Sequence, residues 1–253
     1  MSLRAVGKAI EAHLRADSAR ACAGHDTSRR MLPWVLIERE ETADATRLEL
    51  LQRGSEFSIR ANGELLMSSR QHGSEQALAE LGLAALPSRE RARVLVGGLG
   101  CGYTLAAALA RLGPEASVTV AELSPAVVRW NRGVLGKLAG WPLEAPQVRV
   151  LETDVAALFR AGTHTFDAIL LDVDNGPQAV ARASNGWLYS PQGLSAIRAV
   201  LAPAGVLALW SAGPERGFTE RVRGAGFTVA EHRPRAREGQ SRQRHCVWVA
   251  CRT

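Results

Sequence analysis

Glu122, Asp154 and Asp172 are suited to holding a ligand because each closes a short apolar run: VTVAE, VRVLETD and FDAILLD. Runs of that kind read as buried strands, and in an open, mainly parallel sheet ligands lie beyond the carboxyl ends of the strands. Three acids at successive strand ends describe one crevice, with positions for a ribose, a base and a reacting group. A carboxylate at the end of the second strand can accept both hydroxyls of a ribose, the role expected for Glu122. Asp172 is followed by Asp174, and a spacing of two puts both side chains on one side if the strand continues through Val173. There they are acceptors for an amine proton or anchors for a cation, with Asn175 as a further polar contact. Asp154 stands before VAALF and has a second capacity, as the N-cap of a helix.

The surface that such a ligand approaches is a glycine turn just before the first acid. Arg93 to Val96 is a short β-rich run, Gly97, Gly98, Gly100 and Gly102 follow at once, and Thr104 to Leu112 carries the Ala and Leu of a helix. Glycines let a ligand reach the backbone closely, and a helix opening after such a turn aims free N–H groups at it. A dinucleotide fingerprint requires G-x-G-x-x-G. Here Tyr103 stands where the third small residue belongs, which favours a nucleoside over NAD or FAD. Leu123 and Val155, next in the chain to Glu122 and Asp154, are grouped with the glycines as cofactor-binding residues.

Strands alternating with helices position this crevice. Ser124-Pro125 and Ser190-Pro191 supply N-caps with proline at N1, Pro203 to Gly205 reads as a turn, and Val206 to Trp210 is a fifth strand. FTVAEH and CVWVACR form a final strand pair around an arginine-rich loop. Upstream, WVLIERE, ATRLELLQR and EFSIRANGELLMSS alternate apolar and polar residues, with Asn62-Gly63 as a hairpin signal, and Ser74 to Leu83 switches to helical period. The expected organisation is an N-terminal segment over residues 1–30 with a short helix from Ala5 to Leu14, then a small β-domain plus linking helix over 31–86. A Rossmann-like α/β domain over 87–253 follows, its sheet mainly parallel with an antiparallel last strand.

Composition excludes several classes. A chain of 253 residues with 46% hydrophobic residues buries a core. No apolar run reaches the ~20 residues of a membrane span, and the first residues lack the apolar core of a signal peptide, so a cytoplasmic protein is expected. Cys22, Cys101, Cys246 and Cys251 show no C-x-x-C pairing, which argues against a zinc site or a disulfide framework. The net charge of +6 is carried almost wholly by arginine, Lys8 and Lys137 being the lysines. Its dense cluster, Arg233, Arg235, Arg237, Arg242 and Arg244, lacks the interleaved aromatics of a nucleic-acid surface. A nucleic-acid partner is therefore not expected.

Taken together, VLVGGLGCG, VAEL with Glu122, ETD with Asp154, ILLDVDNGP and LYSPQGL resemble the spermidine synthase (polyamine aminopropyltransferase) family, over roughly Trp34 to Arg252. That family shares its core with class I AdoMet-dependent methyltransferases. The resemblance implies S-adenosylmethionine or its decarboxylated form as the cofactor without a metal, a small amine or polyamine as acceptor, and aminopropyl transfer in polyamine biosynthesis. It places Glu122 on the ribose, Asp154 near the adenine amine and Asp172 beside the transferred group, and it implies a homodimer. Three positions depart from the pattern. The family's glycine turn G-G-G-D-G carries an Asp where this chain has Gly100. Its D-S-S-D-P-x-G-P appears as the shorter DVDNGP, and its Y-H-E becomes Gly73-Ser74-Glu75, leaving Glu75, with His72 to substitute for the histidine. Trp187, Tyr189 and His72 are expected to wall the acceptor pocket. Because the missing Asp would repel the carboxylate of ordinary AdoMet, Gly100 keeps methyl transfer open as an alternative, and the absent tyrosine and histidine keep open a non-catalytic nucleoside-binding relative.

Overall fold

The computed structural model describes residues 32–42, 45–173, 183–234 and 245–253, with side chains at 183–185 excepted. The expected helix from Ala5 to Leu14, the residues Asp174, Asn175, Gly176 and Pro177, and Arg235, Arg237, Arg242 and Arg244 lie outside this set. Trp34–Thr253 forms one compact unit, described below.

The alternation after Trp34 folds into an antiparallel meander: β1 (Val35–Glu41), β2 (Arg47–Arg53), β3 (Glu56–Ala61) and β4 (Glu64–Ser68), paired in that order. Asn62 and Gly63 join β3 to β4, both with positive φ, as a two-residue hairpin of the primed type requires. Leu48 and Leu50 on β2 and Phe57, Ile59 and Ala61 on β3 are buried, so the period of two turns one face of this sheet inward.

Helix α1 (Gly73–Ala84) leads into a seven-stranded sheet. Its strands are β5 (Arg93–Gly97), β6 (Ser117–Glu122), β7 (Val148–Glu152), β8 (Phe166–Leu171), β9 (Leu201–Ser211), β10 (Phe227–His232) and β11 (Cys246–Arg252). They lie in the order β10-β11-β9-β8-β5-β6-β7. All pairs from β7 to β9 are parallel, and β11 runs antiparallel to both β9 and β10. The chain thus builds outward from β5 through β6 and β7, then returns to the other side with β8 and β9. This reversal leaves a crevice beyond the carboxyl ends of β5 and β8, where a ligand can enter the sheet edge-on.

Short connecting helices cover the faces: α2 (Tyr103–Leu109), α3 (Pro125–Arg132), α4 (Val155–Ala161), α5 (Pro191–Val200) and α6 (Phe218–Gly224). Ser124 and Ser190 accept N–H bonds from Val127 and Gly193, as the Ser-Pro signals predict. Val94 and Val96 of β5 join Leu78 and Leu83 of α1 and Leu50 and Phe57 of the small sheet in one core. Leu95 joins Ile169, Phe159 and Ile197 in the other. A strand buried on both faces needs apolar residues at successive positions, which is why β5 reads as a continuous run.

Two boundaries differ from expectation. Helix α2 ends at Leu109 instead of Leu112, because Arg111 N–H bonds to the Ala108 carbonyl in a tighter turn. The expected Pro203–Gly205 turn is a bulge within β9: Phe166 pairs with Leu201, then Ala168 with Val206, and Ala204 takes a positive φ of 57°. The extra residues kink the strand without ending it.

Candidate active site

The crevice holds a cavity of about 170 Å³. One wall is the glycine turn, where Gly98, Leu99 and Gly100 line it. Gly98 has φ +87°, and a Cβ there would come within 2.2 Å of the Asp172 carbonyl oxygen. Gly100 has φ +51°, and a Cβ there would lie 2.6 Å from the sulfur of Met67. That sulfur accepts the Cys101 N–H at 2.9 Å, so the small sheet reaches across and caps the turn at the position that distinguishes this chain from the aminopropyltransferase pattern. Asn131 of α3 supports the turn from behind, its amide donating to the Gly100 carbonyl at 2.7 Å. Gly97, which ends β5, and Gly102, the N-cap of α2, shape the turn without lining the cavity.

Glu122 ends β6 and lines the same cavity. Its two oxygens accept backbone N–H groups, Leu99 at 2.9 Å and Ser124 at 2.8 Å. The carboxylate is thereby fixed between the glycine turn and α3. Asp154 both lines the cavity and caps α4, accepting the Ala156 N–H at 2.9 Å. Leu123, Val155, Ala121 and Val127 provide apolar surface around these acids, and Ser124 and Thr153 add polar groups.

Asp172 stands at the other end, directly after β8, with Glu75 of α1 facing the same space. Asp172 accepts the Thr104 hydroxyl at 2.6 Å; Glu75 accepts the Ser74 hydroxyl at 2.6 Å. Burial first, and then the charge of Glu75, push the Asp172 carboxyl up to about 7, against the pull of Thr104. Burial likewise raises Glu75, against its bond from Ser74. Two acids in one enclosed space resist simultaneous ionisation. Cys101 is driven by burial, and by both acids, up to about 12, which keeps it a neutral thiol.

Four carboxylates, Glu75, Glu122, Asp154 and Asp172, therefore line one small cavity, and no Lys, Arg or His joins them among the described residues. The lid over them is apolar: Leu48, Ile59, Ala61, Leu66 and Met67 from the small sheet, and Trp210 from β9. Such a chamber favours a ligand that is cationic and partly apolar.

The other sequence-based candidates lie elsewhere. His72 precedes α1 and stacks on Tyr103 at 4.2 Å. Trp187 stacks beneath the Arg160 guanidinium at 4.2 Å. Tyr189 is buried and donates to the Val173 carbonyl at 3.3 Å. None of the three lines the cavity, whereas Thr104, Met67 and Trp210, which carried no motif, belong to it or to its hydrogen bonds. Among the described residues no cluster of His, Cys, Asp and Glu is disposed to hold a metal ion, and no helix is long and apolar enough to cross a membrane.

No protein-family model matches the chain, and no curated protein matches it in sequence. Solved structures do match. One is the crystal structure of spermidine synthase from Thermotoga maritima, with a TM-score of 0.69 and 15% identity, covering 86% of this chain and 73% of that one. Another is spermidine synthase in complex with the transition state analogue AdoDATO, with a TM-score of 0.68 and 16% identity, covering 86% of this chain and 72% of that one. The fold, small antiparallel sheet included, is that of the spermidine synthase structures.

Proposed function

We propose that the protein is a transferase that moves an alkyl group from a sulfonium nucleoside to a small amine, with aminopropyl transfer from decarboxylated S-adenosylmethionine as the reaction. The observation that carries this reading is the ring of four carboxylates, with no lining cation among the described residues. A sulfonium nucleoside bearing a free ammonium, followed by a di- or polyamine, matches that charge. Glu122 suits the ribose hydroxyls, and Asp154 with Leu123 and Val155 suits the base, since acid and apolar surface stand side by side there.

The ligand when bound supplies an electrophilic carbon whose leaving group is already a neutral thioether. What remains for the protein is to hold an amine in line at roughly 3 to 3.5 Å and to take its proton. Asp172, held up to about 7 and bonded to Thr104, has an affinity for that proton matched to neutral pH. The apolar lid excludes water, which strengthens each of these charges.

Gly100 favours a second reading, methyl transfer from S-adenosylmethionine, because the turn carries no acid to repel a carboxylate. Against it, Glu75 and Asp172 stand in the same cavity, and among the described residues no lining cation pairs that carboxylate. Assays with each cofactor and a panel of diamines separate the readings. Release of methylthioadenosine is expected. Release of S-adenosylhomocysteine alone would establish the methyl reading, and release of neither would leave a nucleoside-binding protein without turnover.

A further inference from the structure

Aminopropyl transfer, the reading on which this inference rests, discharges one proton per turnover: an alkylammonium enters, must become a neutral amine to attack carbon, and leaves as a secondary ammonium. The proton lost before attack is accepted inside a cavity roofed by Leu48, Ile59, Leu66 and Met67. If it stayed on the acid pair, the next amine would find no base. A route to solvent is therefore required, and Asp172 does not provide one, since its bonded partner Thr104 is buried and leads back to the Glu75 carbonyl at 3.3 Å.

Glu75 does have such a route. Its Oε2 is 2.6 Å from the Ser74 hydroxyl, and Ser74 Oγ is 2.7 Å from Nδ1 of His245. Ser74 is fully buried and His245, at the entry to β11, is only partly so. The three groups come from the start of α1 and from a segment 171 residues further on, and they run from the cavity wall towards the protein surface. We propose that Ser74 and His245 form a proton exit from Glu75, connecting the acid pair of the cavity to solvent.

The step balances without any further reactant. The substrate ammonium gives its proton to a carboxylate of the pair, and its N–H electron pair becomes the attacking lone pair. Protonated Glu75 donates to Ser74 Oγ as the Ser74 hydroxyl proton passes to Nδ1 of His245, which starts as the Nε2–H tautomer. Glu75 is then ionised with Ser74 donating to it, and the imidazolium turns to give its Nδ1 proton to water, so that on its return Nδ1 is bare again and the wire is reset. The other titratable groups facing Glu75 are Asp172 from the end of β8 and Cys101 and Tyr103 from the glycine turn and α2; His72 stacks on Tyr103. Burial holds the Cys101 thiol and the Tyr103 phenol protonated, so neither competes as an outlet. Ser74 occupies the position of the histidine in the Y-H-E pattern, and the imidazole is recovered from the opposite end of the chain.

Ser74→Ala and His245→Ala test this by steady-state kinetics with decarboxylated S-adenosylmethionine and the best diamine. Loss of a positioned proton-transfer group lowers kcat by ~10²-fold or more, and the expected result is that loss in both variants with little change in cofactor affinity. For His245→Ala, activity should return in proportion to added imidazole and should follow the buffer base's pKa across a series of substituted imidazoles. A purely structural role for His245 has no reason to respond to buffer base. Wild-type turnover with unaffected variants, or variants that lose activity without any dependence on buffer base, would overturn the proton exit while leaving the transferase reading intact. Absence of turnover in the wild-type protein with every amine would overturn both.

Discussion

The two ends of the cavity hold their acids in opposite ways. At the nucleoside end, Glu122 and Asp154 accept backbone N–H groups, from Leu99 of the glycine turn and from Ser124 and Ala156 of their own turns. At the reacting end, Asp172 and Glu75 accept hydroxyls from Thr104 and Ser74, and burial raises both, the charge of Glu75 adding to the rise at Asp172. Backbone donors hold a carboxylate in one place, so the first pair acts as a fixed template. A desolvated pair bonded through hydroxyls can change protonation state, so the second can do chemistry. On the proposed reading, one cavity separates recognition from reaction.

The largest expected effect tests the reacting end. Asp172→Asn should lower kcat by ~10²- to 10⁴-fold, the usual worth of a positioned acid or base, with a much smaller change in cofactor affinity. The same substitution should make the ligand-free protein more stable above pH 7. Asp172 titrates at about 7 in the folded state, against ~3.9 when unfolded. Between those values the folded chain holds more protons, so stability falls as pH rises and levels off above about 7. The loss is on the order of a few kcal/mol, and thermal melts of wild type and Asp172→Asn from pH 5 to pH 9 should diverge across that window. Parallel curves would mean that the pair is not strained.

At the template end, Glu122→Gln should act on binding. Losing charge-assisted bonds worth ~1.5–3 kcal/mol weakens cofactor affinity about 10- to 100-fold, measured by calorimetry, while kcat at saturation stays within severalfold. A fall in kcat at unchanged affinity would reverse the assignment of the two ends.

These ends were not equally legible in the sequence. The glycine turn and the acids that follow β6, β7 and β8 are local patterns, readable because strand, turn and acid are contiguous. Glu75 surfaced only through its place in a family motif. Thr104 meets Asp172 across 68 residues and His245 meets Ser74 across 171; no window of sequence contains either pair. The same holds for Met67 and the roof. Alternation in β2 to β4 announces a buried face without saying what it covers. Aromatics predicted as pocket walls, Trp187 and Tyr189, instead satisfy Arg160 and the Val173 carbonyl, since an aromatic in a loop carries no mark of which cavity it faces.

The boundary between the ends lies at the turn, where smaller effects are expected. Gly98→Ala should cost ~1–3 kcal/mol in stability, because positive φ strains the new side chain and its Cβ meets a backbone carbonyl at 2.2 Å. Gly100→Asp meets only the flexible end of Met67, and Asp tolerates positive φ. It should fold and favour the decarboxylated cofactor over S-adenosylmethionine by about tenfold, since a like charge near the carboxylate is worth ~1–4 kcal/mol. Equal affinity of the variant for both would show that the amino end of the ligand does not reach the turn.

The central claim is that a four-carboxylate cavity selects a cationic sulfonium nucleoside. Thermal stabilisation of the wild-type protein by each cofactor at matched concentration tests it most directly, because a ligand at 100 times its Kd adds about 2.7 kcal/mol. Decarboxylated S-adenosylmethionine should raise the midpoint by several degrees and more than S-adenosylmethionine does. Stabilisation by S-adenosylmethionine with none by the decarboxylated form would contradict the account.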